Sequence, residues 1–97
     1  MIHHVQIVCP AGAEDTLRAY YAGVLGLAEK HKPASLAVRG GCWFAGYGIE
    51  LHLGVETEFR PARRAHPGLL WPDLDALAAR LTAEDPYGNR LEFLAPA

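Results

Sequence analysis

The apolar pattern of this chain begins twice. Residues 2–9 alternate and lead into a helical stripe. After a polar loop over 56–65, an apolar segment at 66–71 leads into a second stripe. Each strand-then-helix opening needs sheet partners of its own, and 97 residues make about one domain. The chain therefore reads as a single domain over 1–97, built from two related modules, 1–56 and a shortened 65–97. Strands in adjacent hairpins beside isolated helices imply an α+β class, with curved sheet inside and helices outside.

In the first segment Ile2, His4, Gln6 and Val8 point one way, and His3, Val5, Ile7 and Cys9 the other. The second set is the more apolar and should pack on a helix. That leaves His4 and Gln6 facing whatever the sheet curls around. A helix is expected over 14–25. Glu14 and Asp15 suit the positive end of its dipole, Leu17, Tyr20, Tyr21 and Val24 form one stripe, and Gly26 stops it. Three short strands are expected next, over 34–39, 42–45 and 49–55, with Gly40-Gly41 and Gly46-Tyr47-Gly48 as turns. In the third, Ile49, Leu51 and Leu53 share one face, Glu50 and His52 the other. In the second half Pro72-Asp73 starts a helix with a stripe of Leu74, Leu77, Ala78 and Leu81. Residues 85–89, DPYGN, are turn chemistry. A last strand over 90–94 sets Arg90, Glu92 and Leu94 opposite Leu91 and Phe93.

Composition narrows the function. A 51% apolar and 21% charged chain is ordinary for a globular protein. A net charge of −2 argues against nucleic acid, whose phosphates need a basic surplus. No leader pattern and no membrane-length apolar run is visible, so a cytoplasmic location is expected. Cys9 and Cys42 then read as two small buried hydrophobes rather than a disulfide.

Three strands each place a metal-competent side chain opposite their apolar row: His4 in the first, His66 opening the fifth, and Glu92 in the last. Two imidazoles and a carboxylate suit a divalent ion and leave positions open for substrate oxygens. Each also has a plain reading. His4 sits beside His3 at a strand end, His66 precedes Pro67 in a loop, and an outward-facing Glu92 is ordinary.

Four blocks carry a resemblance: IHHVQIVCP (2–10), YYAGVLGL (20–27), IELHLG (49–54) and DPYGNRLEFL (85–94). FRPARRAHPGLLWPDLDALAARL (59–81) adds the opening of a second module. Together they resemble the vicinal-oxygen-chelate superfamily: glyoxalases, extradiol dioxygenases and bleomycin-resistance proteins. The resemblance implies paired βαβββ modules forming a cup with a metal on its floor, held by His4, His66 and Glu92. It also implies Glu50 as the additional glutamate ligand of glyoxalase I-type members, with His52 beside it as an outer contact or substrate contact. One departure stands out. Between Leu81 and Asp85 the family usually has a further strand or two, about twenty residues with their turn. Either Arg80-Leu81-Thr82 serves as a remnant strand, or another subunit completes the module. A homodimer, with or without module exchange, is therefore expected.

The implied chemistry is that of a metal-dependent lyase, isomerase or dioxygenase acting on a small molecule through two adjacent oxygens. The ion would be Fe, Ni, Zn or Mn, and Glu92 or Glu50 the proton-handling carboxylate. Arg64, with Arg60 and Arg63, could steer an anionic substrate or form a solvated loop. Trp43 could line the cup or pack in the core. Two other classes compete: a bleomycin-resistance-type protein that sequesters its ligand, and an inactive, truncated copy.

Overall fold

The structure, a computed structural model, describes residues 1–72, 74 and 80–96. It is α+β and divides into two compact units, Met1–Arg60 and Pro61–Ala97.

The first unit holds a four-stranded mixed sheet in the order β1-β4-β3-β2. Strand β1 (Val5–Cys9) runs parallel to β4 (Ile49–Val55), β3 (Cys42–Gly46) antiparallel to β4, and β2 (Ala28–Lys30) antiparallel to β3. Cross-strand partners Val5–Leu51, Ile7–Leu53 and Phe44–Leu51 keep the apolar positions on one face. That face, with Cys9, Cys42, Phe44, Leu51 and Leu53 each at most 1% exposed, supplies the core. Both cysteines are free thiols. The turn between β3 and β4 is Tyr47-Gly48, with φ of 53° and 77°. Two consecutive positive angles define the hairpin turn whose twist matches that of its strands.

Helix α1 (Glu14–Leu17) continues directly into a π-helical segment, Arg18–Val24. The expected helix is therefore present, but its winding is not. The Leu25 N–H reaches five residues back to the Tyr20 carbonyl at 2.9 Å. Extra residues per turn shift the buried stripe to four-residue steps: Ala13, Leu17 and Tyr21 are at most 1% exposed, while Val24 is 72% exposed. Tyr21 stacks on Phe44, 5.3 Å between centroids.

Two expected strands are corrected. The first begins at Val5, since Ile2 is 78% exposed. Over 34–39 the chain forms a short helix, α2 (Ala34–Ala37), and the sheet takes its edge strand from Ala28–Lys30 instead. Pro33 fixes an extended entry (φ −56°, ψ 146°), and an alanine-rich turn behind it favours helix. Val38, 87% exposed, had no face to bury. Gly41 closes the return to β3. At its φ of 80° a side-chain carbon would sit 2.1 Å from the Leu53 carbonyl oxygen, so only glycine fits.

The second unit has three strands in the order β5-β7-β6. β5 (Gly68–Leu70), shorter than the expected 66–71, runs parallel to β7 (Arg90–Leu94), and β6 (Arg80–Glu84) antiparallel to it. The first strand of each unit thus lies parallel to its last. Leu69, Leu91 and Phe93 are buried, and Trp71 meets Phe93 edge-on at 5.0 Å. Leu81, expected on a helical stripe, lies in β6. Leu74, expected to open that stripe, lies in a bend with its N–H on the Trp71 carbonyl at 3.2 Å, and Asp73, Leu77 and Ala78 lie outside the described residues. Of the two expectations for the short connection, the remnant strand at Arg80-Leu81-Thr82 is the one observed.

The β6–β7 turn is built on one carboxylate. Asp85 Oδ1 accepts from the Tyr87 and Asn89 backbone N–H groups, and Oδ2 from the Asn89 side-chain amide, all at 2.9 Å. Both Asp85 and Asn89 are 4% exposed.

Candidate functional site

The register of the first sheet sets Lys30, Trp43, His52 and Gln6 in one row across β2, β3, β4 and β1. Alternation puts that row on the face opposite the core. His4, two residues before Gln6, and Glu50, two before His52, belong to the same face. There the rings form a column. The His52 imidazole lies between His4 (4.0 Å, 13° between planes) and Trp43 (4.2 Å, 8°). The Lys32 ammonium sits 5.9 Å from the Trp43 ring, within cation–π range. His3 and His4 share a hydrogen bond between their Nδ1 atoms at 2.9 Å.

Glu50 closes this cluster. His52 Nε2–H donates to its Oε2 at 2.8 Å, and Lys30 Nζ donates to its Oε1 at 2.7 Å. The Lys30 and then the His52 hydrogen bond hold the Glu50 carboxyl down at about 2, so it is a carboxylate at any ordinary pH. Burial, followed by the neighbouring His4, pushes the His52 imidazole below its usual value against the pull of Glu50. His52 is 5% exposed. A ring enclosed on both sides favours its neutral form.

In the second unit, register brings β5 beside β7 with Gly68 opposite Glu92. The Glu92 N–H bonds the Pro67 carbonyl at 3.1 Å, which sets His66 just outside the end of β5. His66 Nδ1–H donates to the Arg64 carbonyl at 2.7 Å. Because a carbonyl only accepts, the proton is on Nδ1, and in the neutral ring Nε2 keeps its lone pair. That Nε2 lies 3.5 Å from Glu92 Oε2, with the side chains 28% and 17% exposed. An imidazole lone pair and a carboxylate oxygen so placed fit two positions of one divalent ion, and a carbonyl orienting the ring from behind is the usual support of such a ligand.

Of the seven predicted side chains, His4, Glu50, His52 and Trp43 gather in the first unit, and His66 and Glu92 in the second. Among the described residues no set of three or more His, Cys, Asp or Glu side chains gathers as a metal site. Arg64 is exposed and acts on His66 through its backbone. Lys30 and Lys32 were missed by sequence reasoning. No strand was placed over 28–30, so Lys30 had no face to share with Trp43. Period-two reading of Ala28-Glu29-Lys30 would have supplied it. No helix among the described residues is long and apolar enough to cross a membrane.

No family model and no curated protein matches the chain. Among solved structures it is similar to a protein assigned to the glyoxalase family from Bacillus anthracis. The two are 37% identical, with 100% of this chain and 95% of that chain covered and a TM-score of 0.91. Two more distant likenesses show the fold alone. One is a variant of the FosX fosfomycin resistance protein from Listeria monocytogenes, complexed with Mn(II) and 1S,2S-dihydroxypropylphosphonic acid (7% identity, 100% and 92% covered, TM-score 0.72). The other is TnmS3, an antibiotic binding protein from Streptomyces sp. CB03234 (18% identity, 100% and 98% covered, TM-score 0.65). On its full-length identity to the Bacillus anthracis protein, this chain belongs to the glyoxalase family, and with it to the vicinal-oxygen-chelate superfamily.

Proposed function

We propose that the chain is a divalent-metal-dependent enzyme acting on a small molecule that presents two adjacent oxygens. The observation that carries this reading is the His66–Glu92 pair: a proton parked on Nδ1 by the Arg64 carbonyl and a carboxylate oxygen 3.5 Å from the opposite nitrogen. Family membership and the Mn(II) complex of the FosX variant support it. His4 is the proposed third ligand, by its place in the first strand.

A divalent ion held there would supply Lewis acidity toward an oxyanion developing on the substrate. The chain's own groups would do the rest. Arg64 orients His66 through its carbonyl, and Glu92 is the carboxylate placed to accept and return a proton. In the His4–His52–Trp43 column both faces of His52 are covered by its neighbours, so His52 itself offers a ligand only a ring edge. Fe would direct the reaction towards oxygenation, and Ni, Zn or Mn towards isomerase or lyase chemistry.

Elemental analysis of the purified protein, beside a His66→Ala, Glu92→Ala double variant, tests this. About one ion per chain, absent from the variant, is expected. A parent that stays metal-free after reconstitution would end the enzyme reading. The second reading, a ligand-sequestering protein, would then stand. It draws on the fold shared with TnmS3.

A further inference from the structure

Both oxygens of Glu50 are engaged by donors of the chain itself. Lys30 Nζ takes Oε1 at 2.7 Å and His52 Nε2 takes Oε2 at 2.8 Å. His52 has little freedom to release its oxygen, since rings at 4.0 and 4.2 Å enclose it on both faces and it is 5% exposed. Lys30 arrives from the adjoining part of the sheet: it is opposite Trp43, which is opposite His52. The Glu50 side chain is 15% and the Lys30 side chain 49% exposed, so the carboxylate is largely covered while the ammonium reaches solvent.

Charge sets the consequence. A carboxylate carries one negative charge. Here that charge already faces an ammonium at contact distance. A divalent ion bound to the same carboxylate would lie within a few ångströms of the Lys30 Nζ, and two cations that close repel, even with the Lys30 side chain 49% exposed. Lys30 would have to leave for Glu50 to serve as a ligand.

We propose that Lys30 reserves Glu50: the carboxylate serves as counter-ion to Lys30 and anchor of the His52 column, and a divalent ion held by this chain is held without it. This rests on the metal-binding reading above and specifies its ligand set. Glu50 positions rather than ligates, and more of the ion's coordination sphere is left for substrate oxygens.

The test is Mn(II) binding to the purified chain, read from the electron paramagnetic resonance of free Mn(II) during titration, with thermal melts confirming that each variant folds. Five variants are compared: Glu50→Gln, Lys30→Met, Lys30→Arg, Glu92→Gln, and Glu50→Gln combined with Lys30→Met. The expected pattern is Glu50→Gln within about threefold of the parent and Glu92→Gln weaker by at least about a hundredfold. Lys30→Met should bind tighter by about tenfold, because the freed carboxylate can now reach the ion. Lys30→Arg, and Lys30→Met with Glu50→Gln, should return to the parent affinity.

A tenfold or greater loss in Glu50→Gln overturns the inference while leaving the metal reading intact. So does a Lys30→Met chain indistinguishable from the parent. Silence from both the parent and Lys30→Met overturns the metal reading and the inference together.

Discussion

Cys42 lies 1% exposed at the start of β3, where burial first, and then the nearby Glu29 carboxylate, raise its thiol from an ordinary 9 to about 11. Its folded-state value is thus above its unfolded one, and the unfolded chain releases the proton first. The native state gains nothing from this below pH 9. It loses stability as pH climbs from about 9 through 11, by about 3 kcal/mol at most from this one group. Urea midpoints followed upward through that window should fall more for the parent than for Cys42→Ala, and equal slopes would refute the assignment. At this scale the sequence was legible where a residue's surroundings follow from its own strand. Cys42 and Cys9 as buried thiols, and Glu50 with His52 on one face, are such cases. It was illegible where a partner comes from an unplaced strand, as Lys30 does. It was also illegible where a backbone atom makes the decisive contact, as the Arg64 carbonyl does for His66.

Among the elements, the 85–89 turn shows why a short motif can be so specific in sequence. Asp85 accepts three hydrogen bonds within five residues, and at 4% exposure no water replaces them. Asp85→Ala would strand buried donors and should cost about 2–4 kcal/mol, read as a lower urea midpoint at unchanged slope. Asp85→Asn keeps one acceptor oxygen and should recover part of that loss; a silent Asp85→Ala would show that the turn is held from elsewhere. Turns and hairpins of this kind are local, which is why the Gly46-Tyr47-Gly48 and DPYGN turns and the 49–55 and 90–94 strands were readable. The 34–39 segment misled because the Gly40-Gly41 turn after it suggested a strand, while Pro33 and the alanines decide the local backbone. The π-helical winding has no period of its own in the sequence. It is visible only once Val24 is found exposed beside a buried Tyr21.

For the whole molecule, the question is what the short second half can do alone. Residues 61–97 fall below the roughly forty residues at which a domain without disulfide or metal usually holds itself together, whereas 1–60 is near the lower limit for folding alone. Core contents agree with this division. Among the described residues, nine side chains no more than 3% exposed, from Cys9 to Leu53, belong to the first unit, against Leu69, Leu91 and Phe93 in the second. The repeated topology, first strand parallel to last, tells that the two halves share a plan. It does not give them equal stability. Expressed separately, residues 1–60 should give a dispersed amide spectrum, and residues 61–97 a collapsed one that sharpens when a divalent ion is added. Ordering by the ion means that His66 and Glu92 are ligands strong enough to fold it. A fragment 61–97 that folds unaided would mean that three strands and the Asp85 turn already suffice.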